Sequence, residues 1–193
     1  ISCTPVLNDV TCYGSSNGSM QVAAAGGTPP YSYQWNTPGL SGSQANGLAG
    51  GSYQVTISDA SGCSITVSAS IQEPLPLVLS ATGPSTLCAN ASGTLTASAS
   101  GGSAPYSFTW SNSNTSSTII ITPGSTTAYT VNVVDALGCT TGGETVLVNV
   151  LAPLAVTATG GTTLCAGSSS NVTAIATGGD GQYNYSWNGG AFS

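Results

Sequence analysis

Apolar and polar residues alternate with a period of two through most of the chain. Met20, Val22 and Ala24 fall on one side of Ser19–Ala25; Tyr53, Val55 and Ile57 on one side of Ser52–Asp59; and Ile65, Val67, Ala69 and Ile71 on one side of Cys63–Ile71. A strand sends successive side chains to opposite faces, so each segment predicts a strand with one buried face. Gly26-Gly27-Thr28-Pro29-Pro30, Ala49-Gly50-Gly51 and Asp59-Ala60-Ser61-Gly62 break the pattern as turns. Between them the reading places a short opening strand at Pro5–Asp9, an aromatic strand at Tyr31–Trp35 and a weaker strand at Ser43–Leu48. The order returns at Val78–Ala81, Gly93–Ala99, Tyr106–Trp110, Thr118–Ile121, Ala128–Asp135 and Glu144–Val150. No segment carries a 3.6-residue period. Short strands punctuated by Gly and Pro predict an all-β sandwich.

The aromatic triplet fixes the repeat. Tyr31-x-Tyr33-x-Trp35 returns as Tyr106-x-Phe108-x-Trp110 and Tyr183-x-Tyr185-x-Trp187, with the tryptophans 75 and 77 residues apart. Cys12, Cys88 and Cys165 are 76 and 77 apart, and Cys63 and Cys139 are 76 apart. A period this long, with cysteines in register, indicates one small domain copied in tandem. The expected organisation is β-sandwich modules of about 76 residues: one at 1–74, one at 75–152, and the opening half of a third at 153–193. Glu73-Pro74-Leu75-Pro76 reads as a short, stiff linker. The third unit is expected to be completed either by more of its own chain or by strands of another subunit.

A module this small sits near the lower limit for a self-sufficient core, so a covalent staple is expected in each. Cys12 to Cys63 and Cys88 to Cys139 both span 51 residues. The equal spans predict one bridge within each copy, worth roughly 4 kcal/mol by loop closure. Counting one strand between the aromatic strand and Tyr53 puts both cysteines of a copy at the same end, in agreement with that pairing. Cys165 is left to a partner outside this stretch. Cys3 is either a buried free thiol or a bridge to a preceding module or neighbouring chain. No Cys-x-x-Cys or Cys/His cluster suggests zinc, and disulfides imply an oxidising, extracytoplasmic setting.

Charge narrows the partners. The 193 residues contain no Lys, Arg or His and only six acids, against roughly 25% charged residues in ordinary domains. Nothing can neutralise phosphates, which argues against nucleic acid, and no basic patch suits anionic lipid. No apolar run is long enough to span a bilayer, and Ile1 opens no signal peptide, so the chain reads as a mature or excised piece of a longer one. With no basic side chain and scattered carboxylates, no general acid–base pair is visible; the chain reads as non-enzymatic, with no cofactor.

The aromatic triplets, with Tyr53 and Tyr129 on the next strong strand, are read as core rather than as a sugar-stacking platform, since exposing them would leave no large side chains inside. Asp59 with Gly62 and Asp135 with Gly138 are read as the first and last residues of a hairpin turn. A calcium site is the weaker reading, because one carboxylate falls far short of the ion's 6–8 oxygen ligands. Asn-x-Ser/Thr acceptor patterns occur at Asn17, Asn90, Asn114, Asn171 and Asn184.

Five spaced blocks carry a resemblance: Val10-Thr11-Cys12, Asn17-Gly18-Ser19, Gly26–Trp35, Leu48–Tyr53 and Asp59–Cys63. Together they resemble an SprB-type repeat of the long surface adhesins of gliding bacteria of the Bacteroidetes type. The second and third copies are more similar to the related PKD-like, immunoglobulin-like modules of the same proteins, which implies an immunoglobulin-like sandwich for each module. They share Cys88, Gly101-Gly102, Pro105-Tyr106, Trp110, Tyr129 and Asp135–Cys139, but lack the Asn-Gly-Ser block. The resemblance implies export to the cell surface, a role in adhesion or gliding, and no catalytic residues. The expected partners are neighbouring modules or subunits of the same surface protein, with glycans or abiotic surfaces as candidate contacts. Two alternatives stay open at this point: a passive spacer for a domain elsewhere in the parent chain, and a carbohydrate-binding module.

Overall fold

The computed structural model describes residues 1–161 and 163–187. Fifteen strands and no helix are found among them, in five sheets. Strands β1 (Ser2–Asn8), β2 (Gly18–Ala25) and β4 (Gln44–Leu48) form one sheet of the first copy, in the order β1-β2-β4. Strands β3 (Ser32–Trp35), β5 (Gly51–Ser58) and β6 (Ser64–Ile71) form the other, in the order β3-β5-β6. All these pairings are antiparallel.

The alternation does what it predicts. Met20 and Val22 of β2, Ala45 and Leu48 of β4, Trp35 of β3, Val55 and Ile57 of β5, and Val67 and Ile71 of β6 meet in one buried cluster that Val10 joins. Side chains from two inner faces interdigitate, which is how a sandwich closes.

The second copy repeats the plan with one addition. Strands β7 (Val78–Thr82), β9 (Gly93–Ser100) and β11 (Thr118–Ile121) make the sheet β11-β9-β7. Strands β8 (Thr86–Cys88), β10 (Ser107–Trp110), β12 (Thr127–Val134) and β13 (Glu144–Leu151) make the sheet β10-β12-β13-β8. Strand β8 is short and runs parallel to β13, with Cys88 opposite Leu151. In the third copy β14 (Ala155–Gly160) and β15 (Val172–Thr177) form a two-stranded sheet. Its apolar residues Val156, Val172 and Ile175 stay exposed. The last six residues of the expected third unit, and Thr162, lie outside the described residues.

By compactness the chain divides into two units that do not follow the sequence period. One holds Ile1–Leu79 together with Ala99–Phe108 and Asn132–Gly143; the other holds Ser80–Ser98, Thr109–Val131 and the chain from Glu144 onward. The first unit therefore contains the whole first copy plus one loop and one hairpin end of the second. Within it Gly102 N–H donates to the Leu75 carbonyl at 2.8 Å.

The neighbouring Gly101 is at φ +72°, and a Cβ built there would fall on the Pro76 carbonyl oxygen. Its counterpart Gly26 has φ +73° but open space around it. Gly26→Ala should therefore cost only the left-handed backbone term, roughly 1–2 kcal/mol. Gly101→Ala should lower the thermal midpoint clearly further, because the linker backbone must move as well. Equal midpoints for the two variants would mean that the Leu75-Pro76 packing is not as described.

Among the described residues the chain has one disulfide, Cys12–Cys139, with a Cα–Cα distance of 5.6 Å. The expected bridges Cys12–Cys63 and Cys88–Cys139 are not formed; Cys63 and Cys88 are exposed free thiols. The strand count behind the expectation fails at residues 36–43. Residues 36–43 cross to the other sheet without reversing the chain: β3 ends at Trp35 opposite Val55, midway along β5, and β4 continues in the same direction from Gln44 beside Gln21 to Leu48 beside Gly18, leaving β5 to begin at that same end. Cys12 then sits at one end of the first sandwich, where Val10 N–H reaches the Gln72 carbonyl (3.2 Å) and Gly14 N–H reaches Glu73 Oε1 (2.6 Å). Cys63 sits at the other end, just before β6. Eight strand residues separate the two ends, about 26 Å, whereas a disulfide needs Cα atoms within about 7 Å.

Candidate functional site

Glycine, aspartate and tyrosine build one recurrent clamp. In the first copy Asp59 Oδ1 accepts N–H bonds from Ser61 and Cys63, both at 2.9 Å, and Oδ2 accepts the Thr28 N–H at 3.0 Å. In the second, Asp135 Oδ1 accepts from Leu137 (2.9 Å) and Cys139 (2.8 Å), and Oδ2 from Ser103 at 2.8 Å. Gly62 (φ +84°) and Gly138 (φ +83°) close the turns, each donating to its aspartate carbonyl at 3.1 Å. The tyrosine that opens each triplet pins the same loop: Tyr31, Tyr106 and Tyr183 donate to the carbonyls of Gly26 (2.8 Å), Gly101 (2.7 Å) and Gly178 (2.5 Å). The hairpin turn was legible in the sequence; the bond to Thr28 or Ser103 was not. Its signal is the co-occurrence of Gly-Gly-Thr/Ser and Asp-x-x-Gly-Cys in both copies at separations of 31 and 32 residues.

Both aspartates are buried, yet both stay ionised more readily than usual. The Thr28 N–H draws the Asp59 carboxyl below the ordinary carboxylate range; burial opposes this, and the Cys63 and Ser61 N–H groups reinforce it. Burial pushes Asp135 up, but the N–H groups of Ser103, Cys139 and Leu137 outweigh it and hold the carboxyl low as well. Depressed folded-state values contribute stability that is complete above the unfolded range, near pH 4. It is lost as pH falls through the folded values. The thermal midpoint should hold on acidification to about pH 5 and fall below about pH 4. An Asp59→Asn/Asp135→Asn variant should melt lower at pH 7 and show a flatter acid limb. A variant profile parallel to the wild type would remove the clamp from the account. With their lone pairs directed at three N–H donors each, these carboxylates have little left to offer calcium.

The tryptophans occupy different settings. Trp35 and Trp110 are buried, and their indole N–H groups donate to the Gly42 carbonyl (3.0 Å) and the Ser116 carbonyl (2.9 Å). Tyr129 is buried, while Tyr33, Tyr53 and Phe108 are half-buried. In the third copy Tyr183 and Tyr185 are half-buried, residues 183–187 form no strand, and Trp187 is 39% exposed. The core assignment of Trp187 is thereby corrected. In the complete copies the aromatic strand is held by β5 or β12, and no such strand pairs with 183–187 among the described residues. Tyr185 and Trp187 instead flank an open depression of about 210 Å³ beside Val172, Thr173 and Ala174.

The outer face of β3-β5-β6 is a continuous field of hydroxyls and amides. Strand β5 presents Ser52, Gln54, Thr56 and Ser58, β6 presents Ser64, Thr66, Ser68 and Ser70, and β3 adds Ser32 and Gln34. Opposed residues bond across the strands: Ser52 with Ser70 (3.1 Å), Gln54 with Ser68 (3.1 Å) and Thr56 with Thr66 (3.2 Å). Such pairs fix side-chain direction, so the face is ordered and carries no charge. A shallow depression of about 280 Å³ lies at one edge, lined by Gln34, Trp35, Asn36, Gln54 and Thr56.

Residues 4–40 and 85–115 both match the family model of the SprB repeat. Two stretches of the chain, at corresponding places in the first two copies, are similar to the SprB repeat. The first match covers β1 to the aromatic strand; the second covers the corresponding part of the second copy. No curated protein matches the chain. Among solved structures, the fibronectin(III)-like modules of Clostridium thermocellum CbhA align with a TM-score of 0.36 and 13% identity, over 76% of this chain and 94% of theirs. An amphioxus IgVJ-C2 molecule aligns with a TM-score of 0.38 and 17% identity, over 72% of this chain and 99% of its own. At these scores neither carries an argument; the β-sandwich description rests on the strand order above.

Proposed function

We propose that this chain is a structural segment of a secreted bacterial cell-surface adhesin or filament, serving in adhesion or gliding motility as a stalk of tandem SprB-type repeats. The observation that carries the reading is the SprB match at the same place in two successive copies of one strand plan. A disulfide fits an oxidising compartment outside the cytoplasm. The stalk works mechanically. Force entering the first sandwich through β1 and leaving through β6 must shear pairings of seven and eight residues. Contact with a surface uses the uncharged β3-β5-β6 face, whose hydrogen bonding depends little on salt.

Antibody against the chain should stain intact cells of the source organism, and bound antibody should weaken their attachment to surfaces. Staining only after permeabilisation would refute the placement. Binding to a glycan array that is lost with Trp187→Ala would favour a carbohydrate-binding module over a stalk.

A further inference from the structure

The repeat sorts five cysteines into two classes with distinct, reproduced settings. Cys12, Cys88 and Cys165 each open a turn in which the N–H three residues on, from Ser15, Ala91 and Ser168, donates to the cysteine carbonyl at 3.0 Å. Cys63 and Cys139 each close the aspartate clamp. Their N–H groups bond Oδ1 of Asp59 and Asp135 at 2.9 and 2.8 Å, and their carbonyls accept the N–H of the same aspartates at 2.9 and 3.0 Å. The one disulfide takes a member from each class, and its separation of 127 residues is the 51-residue spacing within a copy plus one 76-residue period. In the first sandwich the two classes lie at opposite ends. Cys139 is buried with its partner in place and its Sγ lies 3.3 Å from the Thr11 carbonyl. Cys63, on the same kind of turn, is exposed, as are Cys88 and Cys165 on the turn type that holds Cys12.

We infer that Cys63, Cys88 and Cys165 are linking sites for another copy of this repeat. A turn-class cysteine of one copy bonds the clamp-class cysteine of the next, so that successive sandwiches are laced end to end by staggered disulfides. Each link joins two thiols, which together release two protons and two electrons. The electrons reduce a disulfide-class oxidant to two thiols. The inference goes beyond the proposed function and does not rest on it, since any oxidising compartment supports the linkage.

The test uses the full chain on a Cys3→Ser background at high micromolar concentration with glutathione disulfide as oxidant. Oligomers that revert to monomer on reduction should form, and every inter-chain link should join Cys63 to Cys88 or Cys165. A Cys63→Ser variant alone, and a Cys88→Ser/Cys165→Ser variant alone, should stay monomeric. Mixed, they should give disulfide-linked dimers and trimers and nothing larger, since the first variant offers two turn-class thiols and the second one clamp-class thiol. Links between two Cys63 residues, self-linking of either variant, or no cross-linking of the parent chain would each overturn the inference. None of these outcomes bears on surface display, so failure here is distinguishable from failure of the adhesin reading.

Discussion

Replacing Trp110 by alanine is expected to remove the second sandwich's cooperative transition under ordinary conditions. Trp110 is 1% exposed, fills the interior between two sheets, and leaves the Ser116 carbonyl without its indole donor when truncated. Deleting a buried aromatic of this size costs about 3–5 kcal/mol, against a total near the lower end of 5–15 kcal/mol for so small a domain. For a domain of this size each kcal/mol moves the midpoint by about 4–8 °C. Trp187→Ala, at the same place in the third copy, should stay within about 0.5 kcal/mol of the parent because that side chain is largely outside any core. Calorimetry of the two variants separates a repeat in sequence from a repeat in packing. Equal losses would show that Trp187 is as buried as Trp110.

The second large effect concerns sulfur. Cys139→Ser opens a closed loop of 127 residues. In the chain-entropy model that loop is worth about 5 kcal/mol, an upper figure because denatured chains retain some structure. The unit built on the first copy should therefore melt well below the parent, and reductant should bring the parent to the same midpoint. Cys63→Ser, which removes an exposed free thiol, should leave the midpoint within about 0.5 kcal/mol. Bridges inside each copy would reverse this, making Cys63→Ser as damaging as Cys12→Ser.

Period-two alternation located the strands well because each buries one face. Thr118–Ile121 coincides with β11, and the other eleven strands foreseen fall within a few residues of those observed. Strand β8 was not legible: Thr86-Leu87-Cys88 is too short to show a period, and its parallel pairing with β13 depends on a tertiary edge. The clamp was half legible. A turn announces its own residues, but the reach of Asp59 to Thr28 belongs to the folded chain. The disulfide was misread for a geometric reason. Equal spacing in two copies fits any pairing rule that respects the repeat, including one shifted by a period. Choosing between the rules required knowing that β4 continues in the direction of β3 after residues 36–43 cross to the other sheet. The third triplet matches the first residue for residue, yet Trp187 is exposed, because burial is conferred by the paired strand and not by the motif.

The most direct test is the connectivity of the sulfurs. The chain has no Lys or Arg, so trypsin does not cut it; pepsin at low pH cleaves it while suppressing thiol exchange. After free thiols are alkylated and the unreduced digest is analysed by mass spectrometry, a peptide joining Cys12 to Cys139 should appear, with Cys3, Cys63, Cys88 and Cys165 carrying the alkyl label. Peptides joining Cys12 to Cys63 and Cys88 to Cys139 would contradict the account, and with it the end-to-end lacing of successive copies.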